Sequence, residues 1–137
     1  CRSPVSEYCV LDASALVLAL IGKTEAADVL RLRLPMMRVH APHLIDAEVG
    51  NVLRRHEQSG HISALEARVA LRAGQSLVAH RYPHTASLTE LAWEWRDNVS
   101  FYDALYVALA VRLGAPLITA DARLSRTPGL ACDVEVV

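Results

Sequence analysis

At 137 residues the chain has the length of one domain with one sizeable core, and 53% of it is hydrophobic. A net charge of −1 argues against a protein that holds nucleic acid by bulk positive charge, yet leaves room for an acidic site with a basic rim. No apolar run is long enough to span a membrane and no basic-then-apolar leader opens the chain. Three cysteines (Cys1, Cys9, Cys132) form an odd set without metal-ligand spacing and read as reduced thiols, so a cytoplasmic setting is expected. Lys23 is the only lysine, so nearly all positive charge is arginine, whose planar fork suits phosphate.

Residues 1–7 read as an N-terminal extension, and the domain is expected over 8–137. Tyr8 to Asp12 is a short apolar run ending in a carboxylate, as in a buried strand. Helices follow over 15–21 and 24–34, separated by Gly22 and closed by Pro35. A second strand at 38–42 leads into a helix over 43–59, in which Glu48 falls inside the stripe made by Ile45, Val49, Val52 and Leu53. Ser63 to Glu66 spells a capping box for a helix to about Val78. Ala79 to His84 is an edge strand at best because of Pro83, and 88–97 is helical, carrying Trp93 and Trp95. The pairs His40 with His43 and His80 with His84 each enclose a proline and read as core or surface residues rather than ligands.

The stretch from Ser100 to Ala110 is a helix in which Asp103 lines up with Val107 and Ala110 on the face to be buried. A cap accounts for this on its own terms, with Ser100 as N-cap and Asp103 three residues on. Pro116 to Asp121 is another apolar run ending in a carboxylate, and 133–137 is a last strand. Strands alternating with helices imply a single α/β domain, its sheet mostly parallel and flanked by helices on both faces.

In such a sheet ligands bind beyond the carboxyl ends of the strands, at the point where strand order reverses. Asp12 and Asp121 end strands there, and Asp103 and Glu48 can reach the same edge. Each has a plainer explanation: Asp12, Ser14 or Asp121 as helix caps, and Glu48 paired with Arg55. Taken together, four carboxylates at one edge repel, by roughly 4 kcal/mol for a pair about 4 Å apart at an effective dielectric near 20. A hard divalent cation, Mg²⁺ or Mn²⁺, relieves that repulsion, and the lack of Cys or His in the set argues against zinc. Such a cation suits phosphodiester chemistry.

Val10 to Leu16, Glu48-Val49 with Asn51-Val52-Leu53, Tyr102 to Ala110, and Leu117 to Asp121 together resemble the PIN-domain family, and within it the VapC ribonuclease toxins of bacterial toxin–antitoxin pairs. The resemblance runs from about Tyr8 to the C-terminus. It implies a metal-dependent endoribonuclease, usually dimeric, neutralised by a VapB-type antitoxin. Carried over by position, Asp12 and Asp103 would be Mg²⁺ or Mn²⁺ ligands; Glu48 would bind through water or orient the attacking water; Asp121 completes the quartet. Ser14 and Thr119 would hydrogen-bond around them. Arg55 and Arg123, with Arg54, Arg112 and Arg126, would border the RNA, and Trp93 or Trp95 would stack a base. The apolar surface of Ala15 to Leu34 would receive an antitoxin segment. Two other classes compete: an inert module acting only through antitoxin binding and promoter regulation, which would be expected to have lost an acid, and a phosphatase using Asp12, which would want an acid where Ser14 stands.

Overall fold

The computed structural model describes residues 7–137. The extension expected over 1–7 therefore lies outside the described residues, except for Glu7. That residue opens the first strand, pairing with Met37 one position before the expected start.

Five strands form one sheet: β1 (Glu7–Leu11), β2 (Met37–Pro42), β3 (His80–Tyr82), β4 (Leu117–Thr119) and β5 (Val134–Val136). Their order is β3-β2-β1-β4-β5, and every pairing is parallel. β1 is thus central, and Cys9, Val10 and Leu11 are wholly buried. A continuous apolar run without alternation is what a strand covered on both faces requires. Burial also pushes the Cys9 thiol up to about 11, so it is an inert core group.

The chain winds outward from β1 through α1 (Ala13–Ile21) and α2 (Glu25–Arg33) to β2. From there α3 (Leu44–Gln58) and α4 (Ala64–Leu77) lead to β3. It then returns through α5 (Ser87–Trp93) and α6 (Phe101–Leu113) to the other side of β1, and α7 (Ala122–Ser125) connects β4 to β5. Because parallel crossovers are right-handed, the reversal puts α1 to α4 on one face and α5 and α6 on the other. The packing agrees: α1 touches α3 and α4, while α6 lies on β1, β2 and β4 beside α5.

Local chemistry sets the boundaries. A Cβ at Gly22 would meet the Leu18 carbonyl oxygen at 2.4 Å and the Ala27 Cβ at 2.8 Å, so only glycine allows the α1–α2 corner. Ser63 and Glu66 form the expected reciprocal cap on α4. Gly114 closes α6 in the left-handed conformation, φ 62°. In α6, residues Ala104 to Ala110 are all buried, a helix apolar all round rather than one with a single inward face.

Two expectations fail around α5. The helix stops at Trp93 instead of running to Asp97, because Trp95 turns into the core and its Nε1 donates to the Gly129 carbonyl at 3.0 Å. Trp93, outside that turn, is exposed. The helix also opens one residue before the expected Leu88: Ser87 is already helical and accepts from Arg112, so the Ser-x-x-Glu spelling of residues 87–90 makes no cap. Among the histidines, His40 is buried with Nδ1 2.7 Å from the Tyr82 hydroxyl, and His84 Nε2 accepts from the Leu44 N–H. Among the described residues, no helix is long and apolar enough to cross a membrane.

Candidate active site at the strand-order reversal

β1 and β4 are neighbours in space but lie on opposite sides of the reversal in strand order, so a crevice opens beyond their carboxyl ends. Asp12 follows β1 directly and is 6% exposed. Its Oδ1 accepts from the Ser14 hydroxyl at 2.7 Å and the Ala15 N–H at 3.0 Å; its Oδ2 accepts from the Thr119 hydroxyl at 2.5 Å. The capping explanation is therefore true of Asp12, which is the N-cap of α1, and it does not exhaust the group. A carboxylate has about four acceptor positions, and three are used.

Ser14 and Thr119 act as a pair. The Ala120 N–H donates to Ser14 Oγ at 2.9 Å, and the Asp121 N–H to Thr119 Oγ1 at 3.0 Å. The two hydroxyls therefore fasten the segment after β4 to the one after β1 while both aim protons at Asp12.

Asp103 sits in the first turn of α6. Its backbone N–H donates to Ser100 Oγ at 3.1 Å, which is half of a capping box. The reciprocal bond, from the Asp103 carboxylate back to the Ser100 N–H, is not made. The cap fixes the backbone, and the Ser100 side chain also favours the charged carboxylate, against the larger opposite effect of burial.

Glu48 projects from the inner side of α3. The Tyr106 hydroxyl, on the buried side of α6, donates to its Oε1 at 2.7 Å. None of the four ion pairs among the described residues joins Glu48 to Arg55, so the salt-bridge explanation falls. Arg55 is exposed on α3, and the neighbouring Arg54 is held by Asn51 and Gln58 on the outer surface.

Electrostatics ties these acids into one site. Burial, more than any other cause, pushes Asp12, Glu48 and Asp103 above the usual carboxylate range. The Asp103 charge pushes Asp12 and Glu48 further up, and Asp12 does the same to Glu48. The Tyr106 phenol is driven strongly upward by burial and by Glu48, so it remains a proton donor. Asp121 behaves in the opposite way. Arg123 donates to both of its oxygens, at 3.1 and 2.9 Å, and holds it below the usual range. Asp121 also caps α7. Its charge still raises Asp103, so it borders the cluster as one half of an ion pair. Arg123 is thereby partnered within the chain, rather than being a free cation for RNA.

Tyr106 is the site residue that sequence reasoning missed. The available signal was a tyrosine inside a wholly apolar stretch, since a buried phenol almost always finds a polar partner. The donor set of Asp12, Glu48 and Asp103 is oxygen only, which matches a hard cation and not zinc. Among the described residues, no three His, Cys, Asp or Glu side chains close around a point as a ready cage.

The PIN domain model matches residues 9–130, which takes in all four acids. The chain belongs to the PIN-domain family. Among PIN-domain proteins it is 53% identical to ribonuclease VapC1 of Mycobacterium tuberculosis over 131 residues, covering 96% of this chain and 98% of that protein. Ribonuclease VapC9 of the same organism is 42% identical over 128 residues, 93% and 97% of the two chains. In three dimensions the PIN fold here superposes on VapBC2 from Rickettsia felis, solved with a promoter DNA fragment, with TM-score 0.70, 16% identity and coverage of 95% and 98%. It also matches VapC20 of M. tuberculosis, a Sarcin-Ricin loop cleaving toxin, with TM-score 0.66, 21% identity and coverage of 86% and 93%.

Proposed function

We propose that this PIN domain is a VapC-type toxin, an endoribonuclease that hydrolyses RNA phosphodiester bonds with Mg²⁺ or Mn²⁺ held by Asp12, Asp103 and Glu48. The observation that carries the reading is three partly or fully buried carboxylates at the strand-order reversal, with the Asp103 charge raising Asp12 and Glu48 and the Asp121 charge raising Asp103. The named ribonucleases at 53% and 42% identity support the reaction class. Mg²⁺ keeps several of its waters, so these acids serve it without closing into an all-protein cage.

When bound, the cation supplies positive charge against the scissile phosphate and acidifies water. The chain's own residues do the rest. Ser14 and Thr119 hold Asp12 in a single orientation, so its one remaining acceptor position faces the crevice. The Tyr106 hydroxyl holds one Glu48 oxygen, which leaves the other to orient the attacking water and receive its proton. Asp121 holds Arg123 as an ion pair at the rim of the crevice.

By the same likeness the partner is a VapB-type antitoxin, the toxin is a homodimer, and both act in the bacterial cytoplasm. The apolar surface of α1 and α2 is the proposed seat of an antitoxin segment. The test is cleavage of a panel of tRNA and rRNA fragments by antitoxin-free protein, in Mg²⁺, in Mn²⁺ and in chelator, beside Asp103→Asn. Metal-dependent cutting that disappears in Asp103→Asn is the expected result. Absence of cutting, together with no thermal stabilisation by either metal, would sink the reading.

A further inference from the structure

The surface next to Asp103 carries an aromatic cluster that the site described above does not use. Trp93 is 57% exposed, Phe101 38% and Tyr102 61%. Phe101 and Tyr102 occupy the first turn of α6 immediately before Asp103. Trp93, at the end of α5, meets Phe101 edge-on with ring centroids 6.2 Å apart. The Arg96 guanidinium lies over the Trp93 ring, 5.3 Å from its centroid. Beside them is a shallow hollow of about 420 Å³ lined by Thr89, Glu90, Trp93 and Phe101.

Trp93 and Phe101 share the hollow and Tyr102 follows Phe101 in α6, so three of the chain's 7 aromatic residues are exposed at the α5–α6 corner, Tyr8 on β1 being exposed elsewhere. The exposed side chains of α2 and α4, such as Val29, Leu32, Leu65 and Val69, are aliphatic and offer no flat π face. We infer that Trp93, Phe101 and Tyr102, with Arg96 above Trp93, form a stacking platform for unpaired bases of the RNA strand whose phosphate enters the Asp103 site. The inference rests on the ribonuclease reading and extends it to substrate form.

Three features select bases over other occupants. Every base has a π face, and aromatic rings with a guanidinium plane are the groups that hold single strands without reading sequence. Glu90 in the hollow disfavours a phosphate but accepts from the exocyclic amines of bases. Phe101, Tyr102 and Asp103 open the same helical turn, so a strand lying across the platform passes the N-terminus of α6. Duplex RNA, with its bases stacked inside, gains nothing from such a surface.

The test is fluorescence anisotropy of a phosphorothioate-linked oligouridylate, single-stranded or annealed to its complement, titrated in Mg²⁺ with wild type, Trp93→Ala, Trp93→Phe and Tyr102→Ala. Sedimentation of each protein is measured in parallel. Loss of one stacked base should weaken single-strand binding about tenfold in Trp93→Ala and Tyr102→Ala. Trp93→Phe should recover most of it, and weak duplex binding should not change. Equal affinities in wild type and both alanine variants would overturn the platform while leaving the ribonuclease reading intact. If Trp93→Ala instead dissolves a dimer without changing RNA affinity, the patch belongs to a second copy of this chain. Failure of wild type to bind any RNA would bring down the ribonuclease reading and the platform together.

Discussion

Glu48 shows how a single residue couples stability to chemistry. Only one of its oxygens has a donor, Tyr106, and burial raises its pKa, so folding makes its charged form costlier than in the unfolded chain. The sign follows from linkage: a folded-state carboxylate pKa above the unfolded value means more protons bound when folded, so stability falls as pH rises through that window. Asp12 and Asp103 act in the same sense, whereas Asp121 and Glu135, held low by Arg123 and Arg33, lose their contribution as the pH falls. Glu48→Gln keeps the acceptor for Tyr106 and removes the charge. It should therefore raise the melting temperature in chelator at neutral pH, at about 4 °C per kcal/mol for a chain of this size. Scanning calorimetry from mildly acidic to neutral pH should show that gain growing with pH and shrinking when Mg²⁺ is added; a gain independent of pH would contradict the account. Tyr106→Phe leaves Glu48 without its donor, and a hydrogen bond to a charged group contributes roughly 1.5–3 kcal/mol, measurable by urea unfolding. Thr119→Val is nearly isosteric but strips Asp12 of one donor. It should lower kcat about 10- to 100-fold, the usual consequence of losing a residue that orients a metal ligand, with the fold unchanged by circular dichroism. The acids were legible in the sequence because charge on an apolar pattern is conspicuous. Tyr106 was not, because an aromatic in such a run reads as core and its partner stands 58 residues away.

Two helix caps with the same chemistry have different consequences. Ser63 caps α4, a helix that carries none of the four acids, with both bonds of the box formed. Ser100 caps α6 with one bond, and the residue it fixes is Asp103. Either serine changed to alanine should cost about 1 kcal/mol of stability in chemical denaturation. Only Ser100→Ala should also reduce the cleavage rate, because it loosens the backbone that aims a carboxylate. Equal activity in the two variants would mean that α6 is held by packing alone. The α5 region was the least readable from sequence. Ser87 to Glu90 has the spelling of a cap, but the Arg112 side chain competes for the Ser87 hydroxyl, and Trp95 finds more apolar surface by leaving the helix than by prolonging it. Both outcomes depend on residues distant in the chain, which local periodicity cannot weigh.

At the scale of the whole molecule, alternating helices and strands announced a parallel sheet, and the acids at strand ends announced where its crevice would lie. The order of the strands was not readable, since β1 could pair with any apolar run and only packing selects β2 and β4. Burying like charges at the reversal leaves the metal-free molecule with repulsion to relieve. Mg²⁺ at about 100 times its dissociation constant should therefore stabilise it by about 2.7 kcal/mol, visible as a rise in melting temperature that Asp103→Asn abolishes. The β1–β4 pairing has a further consequence, for the growing chain. Asp12 is made early, but the hydroxyl that holds its second oxygen belongs to a residue 107 positions later. Contacts that span so much sequence form slowly. A nascent chain thus carries Asp12 with its local donors, Ser14 and Ala15, but without the hydroxyl that holds its second oxygen. On the ribonuclease reading, the site is complete only after Thr119 has been made.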